Sequence, residues 1–213
     1  MKVAEAIRAR RAVKYFDPQH RMPAELRQRL LEQVACVPSA FNLQHWRIVE
    51  VADPALRQAL RLIAGDQPQL TDASLLLILC FDRLAWDRDP EHCWRLAPGE
   101  VRSAIVSEIR RFYGPRTSFQ RDEGHRSCGI LAQTLMLAAQ ELGYDSCPLD
   151  GFDFERAGEL IRLPADHEIS LMIAIGKALQ PAHPRPGPLS LEQVLVTDRF
   201  PATPAEAPLR AGG

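Results

Sequence analysis

Long apolar runs, a cysteine framework and an excess of charge are all missing from this chain. No run of about 18 apolar residues occurs, which excludes a bilayer-spanning segment of helical type; Leu75-Leu76-Leu77-Ile78-Leu79 is too short and reads as a buried strand. The first residues lack the apolar centre of a signal peptide, because Arg8, Arg10 and Arg11 interrupt them. The five cysteines, at 36, 80, 93, 128 and 147, are odd in number and contain no C-x-x-C. They read as thiols of a reducing cytoplasm rather than as a disulfide scaffold. His92-Cys93 and His125-x-x-Cys128 each lack a second ligand pair, so no metal site is expected. A formal net charge of −1 supplies no global field to recruit nucleic acid or an acidic membrane.

Familiar chemical signatures are missing too. There is no G-x-G-x-x-G, no G-x-x-x-x-G-K-[ST] and no G-x-S-x-G, and the six histidines are scattered. A chain without an acid–base constellation fits an enzyme whose cofactor carries the chemistry.

What is present is enough for one domain with a sizeable core: 213 residues, 46% of them hydrophobic. Periodicity and punctuation predict helices over 3–11, 24–36, 54–63, 100–113, 122–142 and 154–161. They predict strands over 47–51, 74–81 and 169–175. Residues 83–99, with Pro90 and Pro98, read as irregular, and Ser146 to Phe152 as a loop. The 122–142 helix is apolar around most of its circumference, which predicts burial in a core or subunit interface. From about residue 180 the prolines at 181, 184, 186 and 188 predict an extended arm, and 204–213 read as a disordered tail. Helices and strands mix without regular βαβ alternation, so the fold class is α+β.

Two polar segments stand out. Arg10-Arg11-Ala12-Val13-Lys14 holds three cations, and Lys14 is one of only three lysines. The cations suit a phosphate clamp with a point charge beside a polarised ring, and equally a basic last turn that complements a helix dipole. Pro38-Ser39-Ala40-Phe41-Asn42-Leu43-Gln44-His45-Trp46 is dense in hydroxyl and amide groups that suit a ligand or an ordinary turn. Asp66-Gln67-Pro68-Gln69 offers amides for a pyrimidine-like edge. In Pro148-Leu149-Asp150-Gly151, Gly151 permits close backbone approach.

In this order the segments resemble the nitroreductase-like family of FMN flavoproteins, over roughly residues 3–200. The resemblance implies an α+β fold with a central, mostly antiparallel sheet flanked by helices, a single domain over 1–203 completed by dimerisation, and two FMN sites at the homodimer interface. It places Arg10 on the phosphate, Arg11 and Ala12 beside the ribityl chain, Lys14 at the N1/C2 edge and Gln69 at the pyrimidine edge. Pro148 and Leu149 lead to Asp150 and Gly151, whose backbone faces N5 and O4. Arg199 is a second phosphate ligand. Pro38, Ser39, Ala40 and Asn42 come from the other subunit. The implied activity is NAD(P)H oxidation with ping-pong reduction of nitroaromatic, quinone or similar small acceptors. Reductive dehalogenation, flavin fragmentation or non-catalytic flavin binding are the alternatives on the same scaffold. The chain departs from the family pattern at Ala12, where a small hydroxyl residue is usual, at His45, where proline is usual, and at Asp150, where glutamate is commoner.

Overall fold

A computed structural model describes residues 1–200. The chain divides into two compact units, Met1–Ala182 and His183–Gly213. The tail expected over 204–213 lies outside the described residues.

The first unit is built on a four-stranded, wholly antiparallel sheet of order β1-β2-β4-β3. The strands are β1 (Trp46–Glu50), β2 (Leu75–Asp82), β3 (Asp145–Leu149) and β4 (His167–Gly176). Every residue of β2 is buried, as its unbroken apolar run requires of a strand covered on both faces. Its side chains alternate between two cores. Leu76, Ile78 and Cys80 face one, with Leu60, Leu70, Met172 and Leu149. Leu75, Leu77, Leu79 and Phe81 face the other, with Leu131, Leu135, Ile173 and Ile175. The antiparallel sheet and α+β class are as expected from the sequence.

Around the sheet run α1 (Val3–Ala9), α2 (Ala24–Glu32), α3 (Pro54–Leu62), α4 (Gln69–Asp72), α5 (Ala85–Arg88), α6 (Pro90–Cys93), α7 (Gly99–Tyr113), α8 (Thr117–Glu141) and α9 (Phe154–Leu160). Local chemistry sets several of these boundaries. Asp53 accepts the Ala55 and Leu56 N–H groups at 3.0 and 3.3 Å, and Pro54 begins α3. Asp153 caps α9 through the Arg156 N–H at 3.0 Å. Gly143, at φ +75°, lets the chain turn after α8.

Two expectations need correction. Residues 83–99 are not irregular throughout: Asp89 caps α6, with Pro90 at its first position, and α5 precedes it. Proline there starts a helix instead of breaking one. Ser146 to Leu149 is not loop but most of β3. Pro148 is tolerated because β3 is the edge strand of the sheet, with β4 its one strand neighbour. Within the chain, α8 is buried along one stripe, including Gly124, Ser127, Cys128, Leu131, Leu135 and Ala139, and Ile130 is exposed.

A third, smaller core joins the turn after α2 to α5–α8. Leu43, Ile109 and Tyr113 are buried there, with Phe41, Trp86, Trp94, Phe112 and Phe119 packed against them. The second unit carries one helical turn, α10 (Leu191–Val194), whose Ser190 N–H donates to Gln193 Oε1 at 2.9 Å. Among the described residues no helix is long and apolar enough to cross a membrane.

Candidate functional site

Three of the polar segments converge. After α1 the chain runs beside β3: Ala12 forms a parallel bridge with Ser146, and the Val13 N–H donates to the Ser146 carbonyl at 3.0 Å. This lays Arg10–Lys14 against the strand that leads into Pro148–Gly151. Lys14 Nζ donates to Cys147 Sγ at 3.4 Å. From the other side, Gln69 Nε2 donates to Gln67 Oε1 at 2.8 Å and Gln67 Nε2 donates to the Gly151 carbonyl at 3.2 Å. Gln69 is 1% exposed, and its Nε2 is engaged by Gln67.

The Ser146–Gly151 stretch is thus met by an ammonium at Cys147 and by an ordered pair of amides at Gly151. A Cβ at Gly151 would meet only Gln67 Nε2, at 3.8 Å, so the backbone there is approachable. Ser146 Oγ is buried without a hydrogen-bond partner. A planar ligand with a carbonyl-rich edge would find donors, acceptors and a cation in this donor set, and the residues fit the flavin that the sequence resemblance implies. Burial raises the Cys147 thiol pKa, with Lys14 pulling against it, so the thiol accepts from Lys14 while remaining protonated.

The sequence offered Gln67 among the amides of Asp66–Gln69, but gave Ser146 and Cys147 no role at the site; Cys147 carried no signal, because its role comes from pairing across the fold.

The Pro38–Asn42 turn is organised separately. Its backbone is unusual: Phe41, Asn42 and Gln44 all have left-handed φ, at +51°, +54° and +47°. Such conformations persist only where the surroundings hold them. Ser39 Oγ accepts from the Gln44 N–H at 2.9 Å, Asn42 Nδ2 donates to the Cys93 carbonyl at 2.8 Å, and Trp94 Nε1 donates to the Phe41 carbonyl at 2.8 Å. The turn is thereby fastened to α6. Pro38 and Ala40 belong to the same turn. Arg199 lies in the second compact unit, where its N–H donates to the Thr197 carbonyl at 2.7 Å.

Beneath the turn, His45 is 1% exposed. Its Nδ1 lies 3.2 Å from Ser127 Oγ, and Nε2 has no hydrogen-bond partner. Burial pushes its pKa down to about 4; the Asp82 carboxylate opposes that shift and Arg47 adds to it. The imidazole is therefore neutral near pH 7.

Asp82, Asp166 and His167 bring potential ligand atoms together. Their charges already have organic partners. Asp82 accepts from Arg88 Nε at 2.7 Å, from Arg47 Nη2 at 3.4 Å and from the Leu84 N–H at 2.8 Å. Asp166 accepts from Arg88 and from His167 Nδ1. The cluster is an arginine-bridged network, and a metal ion would have to displace guanidinium groups to enter it.

The model of the family described as "Nitroreductase family" matches residues 7–177. Protein DrgA of Synechocystis is 49% identical over 182 residues, covering 85% of this chain and 87% of that protein. A protein of Thermus thermophilus named NADH dehydrogenase is 33% identical over 193 residues, covering 88% and 91%. The solved structure of a protein from Exiguobacterium sibiricum in complex with FMN superposes with a TM-score of 0.85 at 24% identity, covering 92% and 97%. At that identity the likeness is one of fold.

Proposed function

The chain belongs to the nitroreductase family, and from that premise we propose that it is an FMN-dependent NAD(P)H oxidoreductase that reduces nitroaromatic, quinone or similar electron-poor acceptors. The observation that supports it is that two distant segments both reach the Ser146–Gly151 stretch, Lys14 at Cys147 and the Gln69–Gln67 amides at Gly151. Bound FMN supplies the redox chemistry, accepting a hydride from NADH or NADPH and passing it to the acceptor.

The protein's part is binding and electrostatics. Lys14 would place its charge at the N1/C2 edge, where reduction puts negative charge. Gln69, held by Gln67, would meet the pyrimidine edge, and the backbone of Asp150 and Gly151 would face N5 and O4. Arg10 and Arg11 would hold the phosphate and ribityl chain, with Arg199 as a further phosphate ligand. Ala12 contributes only backbone here, having lost the usual hydroxyl. In this reading the protein is a cytoplasmic homodimer, and Pro38, Ser39, Ala40 and Asn42 complete the flavin site of the opposite subunit. The separate anchoring of that turn to α6 supports this reading, because it holds the turn in place without the Arg10–Lys14 segment.

Purification with added FMN tests the proposal. A yellow protein is expected, bleached anaerobically by NADH or NADPH and recoloured by a nitroaromatic or a quinone. A colourless protein under those conditions excludes it. In a Lys14→Gln variant that retains flavin, the two-electron potential should fall by about 30 mV, the equivalent of ~1.4 kcal/mol.

A further inference from the structure

Just past the Pro38–Asn42 turn lies a cavity of about 390 Å³ whose walls come from Leu43 and Gln44, the start of β1, and α5–α6 with the residues after it. Its polar lining is dominated by cations: Arg47, Arg88 and Arg95, with Asp89 the one carboxylate among the lining residues. Asp89 is occupied in capping α6, accepting the His92 N–H at 3.2 Å. Asp82 pairs with both Arg47 and Arg88, and Asp166 pairs with Arg88 as well; neither carboxylate lines the cavity, and among the described residues Arg95 is the lining cation left without such a partner. Arg95 donates to the His92 carbonyl at 3.0 Å. Arg47 and Arg95 both lie close enough to Cys93, on the cavity wall, to pull against the burial that raises its thiol pKa.

We infer that this cavity is an anion subsite, which takes a phosphate or carboxylate group carried by one of the reaction's two small-molecule substrates. Guanidinium groups suit such planar or multidentate oxyanions. The location fits as well. Gln44 lines the cavity and is two residues from Asn42, hence at most about 7 Å from it along the chain. Cys93, whose carbonyl holds Asn42, lines it too. An anion held there anchors one end of a molecule whose reactive end lies toward the turn. This step rests on the proposed flavin chemistry, under which that turn borders the opposite subunit's cofactor. The anion has two possible sources, a nicotinamide dinucleotide or an acidic acceptor.

The experiment uses FMN-loaded wild-type protein and the Arg95→Glu and Arg95→Lys variants. Calorimetric titration with inorganic pyrophosphate reads the subsite directly. Steady-state kinetics read its use, through the kcat/KM ratio of NADPH to 1-benzyl-1,4-dihydronicotinamide, a hydride donor with no phosphate, with a neutral quinone, and that of 4-nitrobenzoate to 4-nitrobenzamide with NADH. We expect Arg95→Glu to weaken pyrophosphate binding at least about tenfold, with partial recovery in Arg95→Lys. One of the two ratios should fall by a similar factor. A fall in the first assigns the site to the dinucleotide, and a fall in the second to the acceptor. Absence of pyrophosphate binding in wild type, or an Arg95→Glu protein with both ratios unmoved, overturns the inference. If neither nucleotide reduces wild-type flavin, the functional reading fails, while the calorimetry still decides whether the cavity binds anions.

Discussion

The sheet with α8 and the aromatic unit around residues 38–45 and 85–119 are held together by different means. In the first, β2 is paired on both sides and packed on both faces, so backbone ladders and apolar burial agree. In the second, a turn with three left-handed non-glycine residues is pinned by two side chain-to-backbone bonds over a small aromatic core. Buried polar atoms without partners also concentrate there: His45 Nε2, Trp86 Nε1 and Tyr113 Oη. The lesson is one of division of labour. A redundant layer fixes where Lys14, Gln69 and Gly151 stand, and a less redundant one holds the segment proposed to reach the other subunit.

Acid should break the seam between the two regions first. His45 titrates at about 4 in the folded chain against 6.5 for an ordinary histidine. Below about pH 6.5 the unfolded chain takes up a proton that the folded chain refuses until about pH 4. The contribution of this group to stability is therefore complete above that window and shrinks as pH falls through it, by about 3 kcal/mol at the lower end. Denaturant midpoints measured across the window should lose much of their pH dependence in His45→Gln; parallel profiles for the two proteins would contradict the assignment.

A smaller effect probes the redundant layer. At Gly124 in α8 an added Cβ would stand 2.1 Å from Phe81 Cδ2, inside a fully buried contact. Alanine's helix preference of about 1 kcal/mol then competes with overpacking of about 3 kcal/mol. Gly124→Ala should destabilise by about 2 kcal/mol on balance, in chemical denaturation. A stabilised variant would mean that Phe81 moves freely, and that the sheet with α8 is not the rigid layer.

The smallest change separates the two supports of the strained turn. Asn42→Gly keeps the left-handed backbone accessible but loses the bond to the Cys93 carbonyl, at a cost of about 1 kcal/mol. Asn42→Ala loses both and should cost about 2 kcal/mol. Equal melting of the two variants would show that backbone conformation at 42 contributes nothing.

Much of the fold was legible because its causes are local. Asp53-Pro54 announces α3 and Asp153 announces α9, since a cap is a matter of neighbouring residues. The apolar run of β2 announces a doubly covered strand. Where punctuation depends on context, local reading failed. Pro148 looks like a loop residue until β3 is known to be an edge, and Pro90 looks like a breaker until Asp89 is seen to cap a helix. Of the candidate site, Lys14, Gln69 and Gly151 could be picked by residue type and resemblance. Gln67 could be offered as an amide but not as the link to Gly151, and Cys147 could not be picked at all, because their partners are remote.

By itself, then, the chain's sequence determined the α+β class, most helices and the residue types available for a flavin-like ligand. Periodicity, caps and charge are properties of short windows. Only the tertiary structure decided which of those residues meet. Lys14 and Cys147 are separated by 133 positions, and Gln67 and Gly151 by 84. What joins them is the pairing of β3 with β4, together with the bridge from Ala12 to Ser146. Such long-range pairings are selected by burial of the whole sheet, a global free energy that no local window contains.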